Sequence, residues 1–243
     1  MQYSSSQPAR FPLTGAQQDI WLDQLRVGDS PLYNIGGYLD FAGTVEPERM
    51  QHAVALLVAR HDALRTQLHT DANGLPGQTF APELKVEMAL HDFSALPDPS
   101  AASQTLMQAQ MARPYALSGE PLCRFFLVKL DDDHYRLGTQ AHHLILDGWG
   151  FGQMLQSLAQ LYSALEQGHA TEPLAPSYID FIDTDQRYLQ SARYARDRDY
   201  WLGRYQALPE PLLTPRHNAK TSSNTWVQGA DCRKRWSVSI KSM

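Results

Sequence analysis

Leu122-Cys123-Arg124-Phe125-Phe126-Leu127-Val128-Lys129-Leu130, then Asp131-Asp132-Asp133 and the return from His134 to His142, decide how this chain folds. The first run is almost wholly apolar, as in a strand of a sheet covered on both faces. The three aspartates make a polar turn, and the return reads as a second strand. Further on, Trp149 to Gln167 places Phe151, Leu155, Leu158, Tyr162 and Leu165 on one helical face, with Gly168 as the stop. Between strand and helix lies Ala141-His142-His143-Leu144-Ile145-Leu146-Asp147-Gly148-Trp149-Gly150. Such junctions hold side chains both exposed and rigid, which suits reactive groups.

On the N-terminal side, Phe11 to Gly28 predicts a helix opened by a capping box of Thr14 and Gln17. Tyr33 to Phe41 predicts a strand in which Gly36-Gly37 marks a bulge. Pro47 suits the first turn of a second helix, carrying Met50, Val54, Leu57 and Leu64. Strands are expected over Thr66 to Thr70 and Lys85 to Leu90, and a helix over Ala101 to Arg113, ended by Pro114. On the C-terminal side, Ser177 caps a helical region reaching about Tyr205 and broken near Ser191. Pro209, Pro211 and Pro215 punctuate a loop. Arg235 to Lys241 alternates as a half-buried strand without a partner, the pattern of a cut chain or of an absent lobe beginning. The expected division is a lobe over 1–176 and connecting helices with the start of a second lobe over 177–243.

Composition narrows the function classes. With 43% hydrophobic and 19% charged residues the 243-residue chain is globular. Its net charge is −5 and its densest basic cluster, Arg233-Lys234-Arg235, reads as a solvated strand end, so nucleic acid is not an expected partner. Cys123 and Cys232 are far apart and lack a C-x-x-C pattern, which argues against zinc and a disulfide framework. Cys123 reads as a small buried hydrophobe. The start, Met1 to Arg10, lacks an apolar signal core, and no run approaches a membrane span. A reducing cytoplasm is the expected location.

The chemistry rests on the paired histidines. Period-two alternation sends His142 and His143 to opposite faces, so only one can enter a given pocket. An imidazole titrating near neutrality can take a proton from an attacking amine or hold it in line. Asp147 stands where the dipole of the following helix favours an anion, and an arginine partner would fix the loop. Gly148 allows a sharp turn or a close backbone approach, and amides at the helix start could face an oxyanion. Metal binding by His142, His143 and Asp147 is disfavoured, because H-E-x-x-H spacing is absent and opposite faces split the ligands. No G-x-S-x-G elbow marks a serine hydrolase.

His142 to Gly148 resembles the HHxxxDG signature of the condensation-domain superfamily of nonribosomal peptide synthetases, which chloramphenicol acetyltransferase and related acyltransferases share. Four further stretches, in the right order, carry the resemblance. Leu13 to Trp21 is similar to the opening motif, Arg60-His61-Asp62-Ala63-Leu64-Arg65-Thr66 to the RHxxLRT motif, and Tyr178-Ile179-Asp180-Phe181 to YxDYA, with Phe181 for the second Tyr and Ile182 for Ala. Tyr200-Trp201-Leu202 resembles the YW ending the connecting helix. The resemblance spans about Phe11 to Ile240.

The resemblance implies a chloramphenicol-acetyltransferase-like α/β (α+β) fold: a two-layer lobe with a mixed β-sheet packed by helices. It implies His143 as the catalytic histidine and His142 as its structural partner. It makes Gly148 the turn glycine, and Asp147 a structural aspartate paired with an arginine of the second motif, for which Arg65 is the candidate. Arg60 and His61 otherwise read as cations near a helix's negative pole, and Trp21, Tyr178 and Trp201 as packing residues. The implied reaction is amide formation between thioesters on donor and acceptor peptidyl carrier proteins. No cofactor binds directly, since the phosphopantetheine belongs to the carriers, and the C-terminal lobe of the same domain is the remaining partner. Other readings are a non-catalytic carrier-binding fragment, a stand-alone acyltransferase completed by oligomerisation and, ranked low, an epimerisation domain.

Overall fold

The computed structural model describes residues 9–169 and 176–207. Its centre is a four-stranded sheet of β2 (Asn34–Ala42), β7 (His134–His142), β6 (Cys123–Asp131) and β5 (Met88–Asp92), in that order. β7 pairs antiparallel with both β2 and β6, whereas β5 pairs parallel with β6, so the sheet is mixed. A second sheet holds β1 (Phe11–Pro12), β4 (Pro76–Phe80) and β3 (Thr66–Thr70), ordered β1-β4-β3. This is the mixed sheet packed by helices that the resemblance implies.

Alternation sorts the central sheet's side chains onto two faces. Leu39, Phe41, Phe125, Leu127, Tyr135 and Leu137 pack against α2 (Pro47–Arg60) and α4 (Gly148–Glu166) in the main core. Tyr38, Phe126, Val128 and Leu130 face the other way, against Met107 of α3 (Pro99–Ala112). The apolar run of β6 is thus buried on both faces, as its composition predicts. Two glycines let the layers close. A Cβ on Gly138 would lie 2.2 Å from the Phe126 ring, and one on Gly36 would lie 2.5 Å from Met111 Sδ.

The helix signals fall close to the expected places. Thr14 forms the full capping box with Gln17 ahead of α1 (Gly15–Val27), although Phe11–Pro12 is strand rather than helix. Ser177 caps α5 (Tyr178–Leu189), and the break at Ser191 is the cap of α6 (Ala192–Arg204). Three expectations shift. The Gly36-Gly37 pair makes no bulge, since β2 and β7 pair in unbroken register; the irregularity lies between Lys129 and Asp131. The strand expected at Lys85 begins at Met88, because Gln51 donates to the Val86 carbonyl (3.0 Å) and accepts the Met88 N–H (2.8 Å) in place of a ladder. β4 has no counterpart in the sequence reading. The expected strand at Arg235 to Lys241 lies outside the described residues.

Among the described residues no helix is long and apolar enough to cross a membrane, and no group of His, Cys, Asp and Glu could hold a metal ion.

Candidate active site

His142 ends β7 opposite Asn34, and the chain then leaves the sheet towards α4. The two histidines have different surroundings. His142 is 1% exposed, flanked by the rings of Tyr33 and Tyr115 at 6.1 and 6.0 Å. Its Nδ1 accepts the Leu144 N–H at 3.2 Å, so the ring proton sits on Nε2, which donates to Gln24 Oε1 at 3.2 Å. Gln24 is oriented in turn, its Nε2 donating to the carbonyls of Gly28 and Ser30. Burial first, then the neighbouring His143, pushes the His142 pKa down to about 4, so the ring is neutral near pH 7. Its hydrogen-bonding capacity is fully used inside the fold.

His143 is half-buried and held by its backbone, whose N–H donates to the Tyr33 carbonyl at 2.8 Å. Its Nδ1 is buried with no hydrogen-bond partner among the described residues. The side chain lines a cleft of about 530 Å³ whose walls come from the start of α1, the turn after α2, the 143–150 segment and the start of α5. A mostly apolar cleft with a few polar groups is the usual form of a small-molecule site.

The segment after His143 is anchored, but not by the expected ion pair. Asp147 caps α4, its Oδ1 accepting the Gly150 N–H at 2.7 Å. Arg65 donates instead to the carbonyls of Val58 (3.2 Å), Ala81 and Pro82 (3.5 Å). Among the described residues the two charges form no pair, since each is satisfied by backbone groups near its own turn. Gly148 also departs from expectation. Its φ is not positive and a Cβ there would meet open space, so neither a sharp turn nor a close approach requires glycine.

Three buried glutamines do the anchoring, and the sequence reading gave a site role to none of them. Gln24 holds His142. Gln17 Nε2 donates to the Leu144 carbonyl at 3.2 Å, one residue beyond His143. Gln17 and Gln78 form a two-way amide pair at 3.1 and 2.8 Å, and Gln78 also donates to the Pro12 carbonyl at 2.9 Å. Gln17 stands in the motif that resembles the family's opening; Gln78, fully buried, lies in the unforeseen β4. Of the expected packing residues, Trp21 packs against the core. Tyr178 lines the cleft, where burial raises its phenol pKa. Trp201 is 55% exposed, stacked on Tyr205 at 5.8 Å.

α5 is pinned to this cleft. Asp62 accepts the Ser177 hydroxyl and the Tyr178 N–H, the latter at 2.9 Å to one carboxylate oxygen and 3.0 Å to the other. Further along, Asp185 Oδ2 accepts the Gly15 N–H at 3.2 Å.

Comparison with known proteins agrees with this architecture. The family model for the condensation domain matches residues 8–237. An isonitrile lipopeptide synthase of Streptomyces coeruleorubidus is 35% identical over 210 residues, covering 85% of this chain and 14% of the relative. A dimodular nonribosomal peptide synthase of Bacillus subtilis is 29% identical over 220 residues, 90% of this chain and 9% of the relative. Among solved structures, the starter condensation domain of rhizomide synthetase superposes with a TM-score of 0.76 at 30% identity, over 84% of this chain and 51% of that one. The first condensation domain of the CDA synthetase gives 0.77 at 28% identity, over 85% and 53%. The chain thus spans about half the length of these solved domains and a small part of the synthetases. By the match along nearly its whole length, this chain belongs to the condensation-domain family of nonribosomal peptide synthetases.

Proposed function

We propose that this chain supplies the catalytic first half of an amide-forming condensation domain, with His143 at the reacting centre. The observation that carries the reading is the asymmetry of the histidine pair. His142 is consumed by Gln24 and Leu144, while the His143 side chain lines the cleft and makes no hydrogen bond among the described residues. The substrates are an acyl or peptidyl thioester and an aminoacyl thioester, each on the phosphopantetheine arm of a carrier protein. The acceptor's amine attacks the donor's thioester carbonyl, the N–C bond forms, and the C–S bond breaks. The amine's proton passes to the departing thiolate, with the His143 imidazole holding or relaying it. Tethering supplies effective concentration and the cleft supplies alignment. His142, Asp147 and Gln17 keep the loop in place.

The C-terminal half of the domain is the proposed second wall. Phe181, Tyr200, Trp201 and Leu202 stand 54 to 65% exposed on α5 and α6, the apolar surface that such a half would cover. The test is amide formation by the complete domain with both carriers loaded. His143→Ala should lower the rate by roughly 10²–10⁴-fold while carrier affinity is unchanged; undiminished product refutes the assignment. The half-length span favours a second reading, a carrier-binding fragment without turnover of its own. Titrating the isolated chain with a loaded carrier while assaying product distinguishes the two.

A further inference from the structure

A second imidazole faces the same cleft. His61 ends α2 and begins the turn Asp62–Arg65. Its backbone is satisfied, the N–H donating to the Leu57 carbonyl and the carbonyl accepting the Leu64 N–H, both at 3.1 Å. The side chain makes no capping bond. Its Nε2 is buried without a partner among the described residues, and the residue lines the cleft with His143. The adjacent carboxylate does not serve it, because Asp62 is committed to Ser177 and Tyr178. A buried ring nitrogen left unpaired weakens a fold, and an apolar ring would fill the space without that penalty. Burial, then the neighbouring Arg60, holds the His61 pKa below its ordinary value, so the ring favours the neutral form instead of the cation expected at a helix end. A neutral imidazole can hydrogen-bond a ligand without carrying a charge into the site.

We propose that His61 is a second substrate-contacting residue, whose imidazole hydrogen-bonds a polar group of the carrier-bound thioesters that meet at His143. The inference rests on the reaction proposed above. His143 handles the proton of the amine, and His61 fixes the substrate against the opposite wall, beside the start of α5. This role requires only one nitrogen at the right place, so an amide of similar reach should replace it.

The experiment compares His61→Phe, His61→Gln and His143→Ala in the complete domain, varying donor and acceptor thioesters separately. His61→Phe should match or exceed the wild-type melting temperature and lose about tenfold in kcat/KM, the scale of one lost hydrogen bond. The loss should appear mainly as a raised KM for the thioester that His61 touches. His61→Gln should restore most of it. Wild-type kinetics for His61→Phe, with His143→Ala inactive, overturn the inference and leave the reaction standing. Equal impairment of His61→Phe and His61→Gln that tracks a fall in melting temperature also overturns it, by reducing His61 to a packing residue. Should His61→Phe fail to fold, a His61→Gln enzyme with full stability but no recovered kcat/KM refutes the contact. Full activity in His143→Ala refutes the His143 assignment on which the inference rests.

Discussion

Acidification should unfold this protein through His142 in a calculable way. The ordinary histidine pKa is near 6.5, and in the folded chain it falls to about 4, because the ring is buried and His143 stands beside it. Between those values the unfolded chain binds a proton that the folded chain refuses. Stability is therefore complete above pH 6.5, declines as the pH drops, and stops declining from this cause near pH 4, where the folded ring also protonates. A difference of about 2.5 units at 1.36 kcal/mol each amounts to about 3 kcal/mol, a large share of a typical domain's stability. The assay is urea unfolding followed by tryptophan fluorescence from pH 7.5 to 4. His142→Asn is the control, since its Oδ1 can stand near Nδ1 and accept the Leu144 N–H but does not titrate. The variant should be weaker at neutral pH and lose about 3 kcal/mol less on acidification than the wild type. Parallel curves for the two proteins would refute the argument that the buried ring is held neutral.

Three further outcomes are expected. Asp147→Ala should cost about 1 kcal/mol as a lost helix cap. In a double-mutant cycle with Arg65→Met the coupling should stay below about 0.5 kcal/mol, whereas a real ion pair would exceed it. Gln78→Leu leaves one N–H of the Gln17 amide and the Pro12 carbonyl without their partner in the interior, which should cost about 1–3 kcal/mol for each group left unpaired, read by the same urea titration. Gly138→Ala places a methyl against the Phe126 ring and should cost about 1–3 kcal/mol. Phe126→Leu in the same chain should recover part of that loss, seen as a higher melting temperature.

The parts legible in the sequence are those where one local rule dominates. The β6 run is apolar because both faces are covered, and α4 shows its face at helical spacing with Asp147 as its cap. Thr14, Ser177 and Ser191 cap helices where short polar side chains should. What stayed illegible depends on contacts remote in the chain. Pro76–Phe80 is short and polar, and becomes a strand only because β3 and β1 flank it. Gln78 stands in a stretch without a local signal, yet it is buried, its amide meeting that of Gln17, 61 positions away. The paired histidines announce a site, and alternation separates their faces, but the partner of the His142 Nε2 is Gln24, 118 positions away. Arg65 shows how charge alone misleads: the guanidinium is taken by backbone carbonyls, and the Asp147 carboxylate by the Gly150 N–H.

The two attachments of α5, Asp62 at its first residue and Asp185 to Gly15 midway along, make the helix a strut rather than a hinge. A load applied to its outward side is delivered to the turn that holds His61 and to the start of α1, where Gln17 bears on the residue after His143. The position of α5 and that of the segment after His143 are therefore linked through these anchors, without a contact to either imidazole.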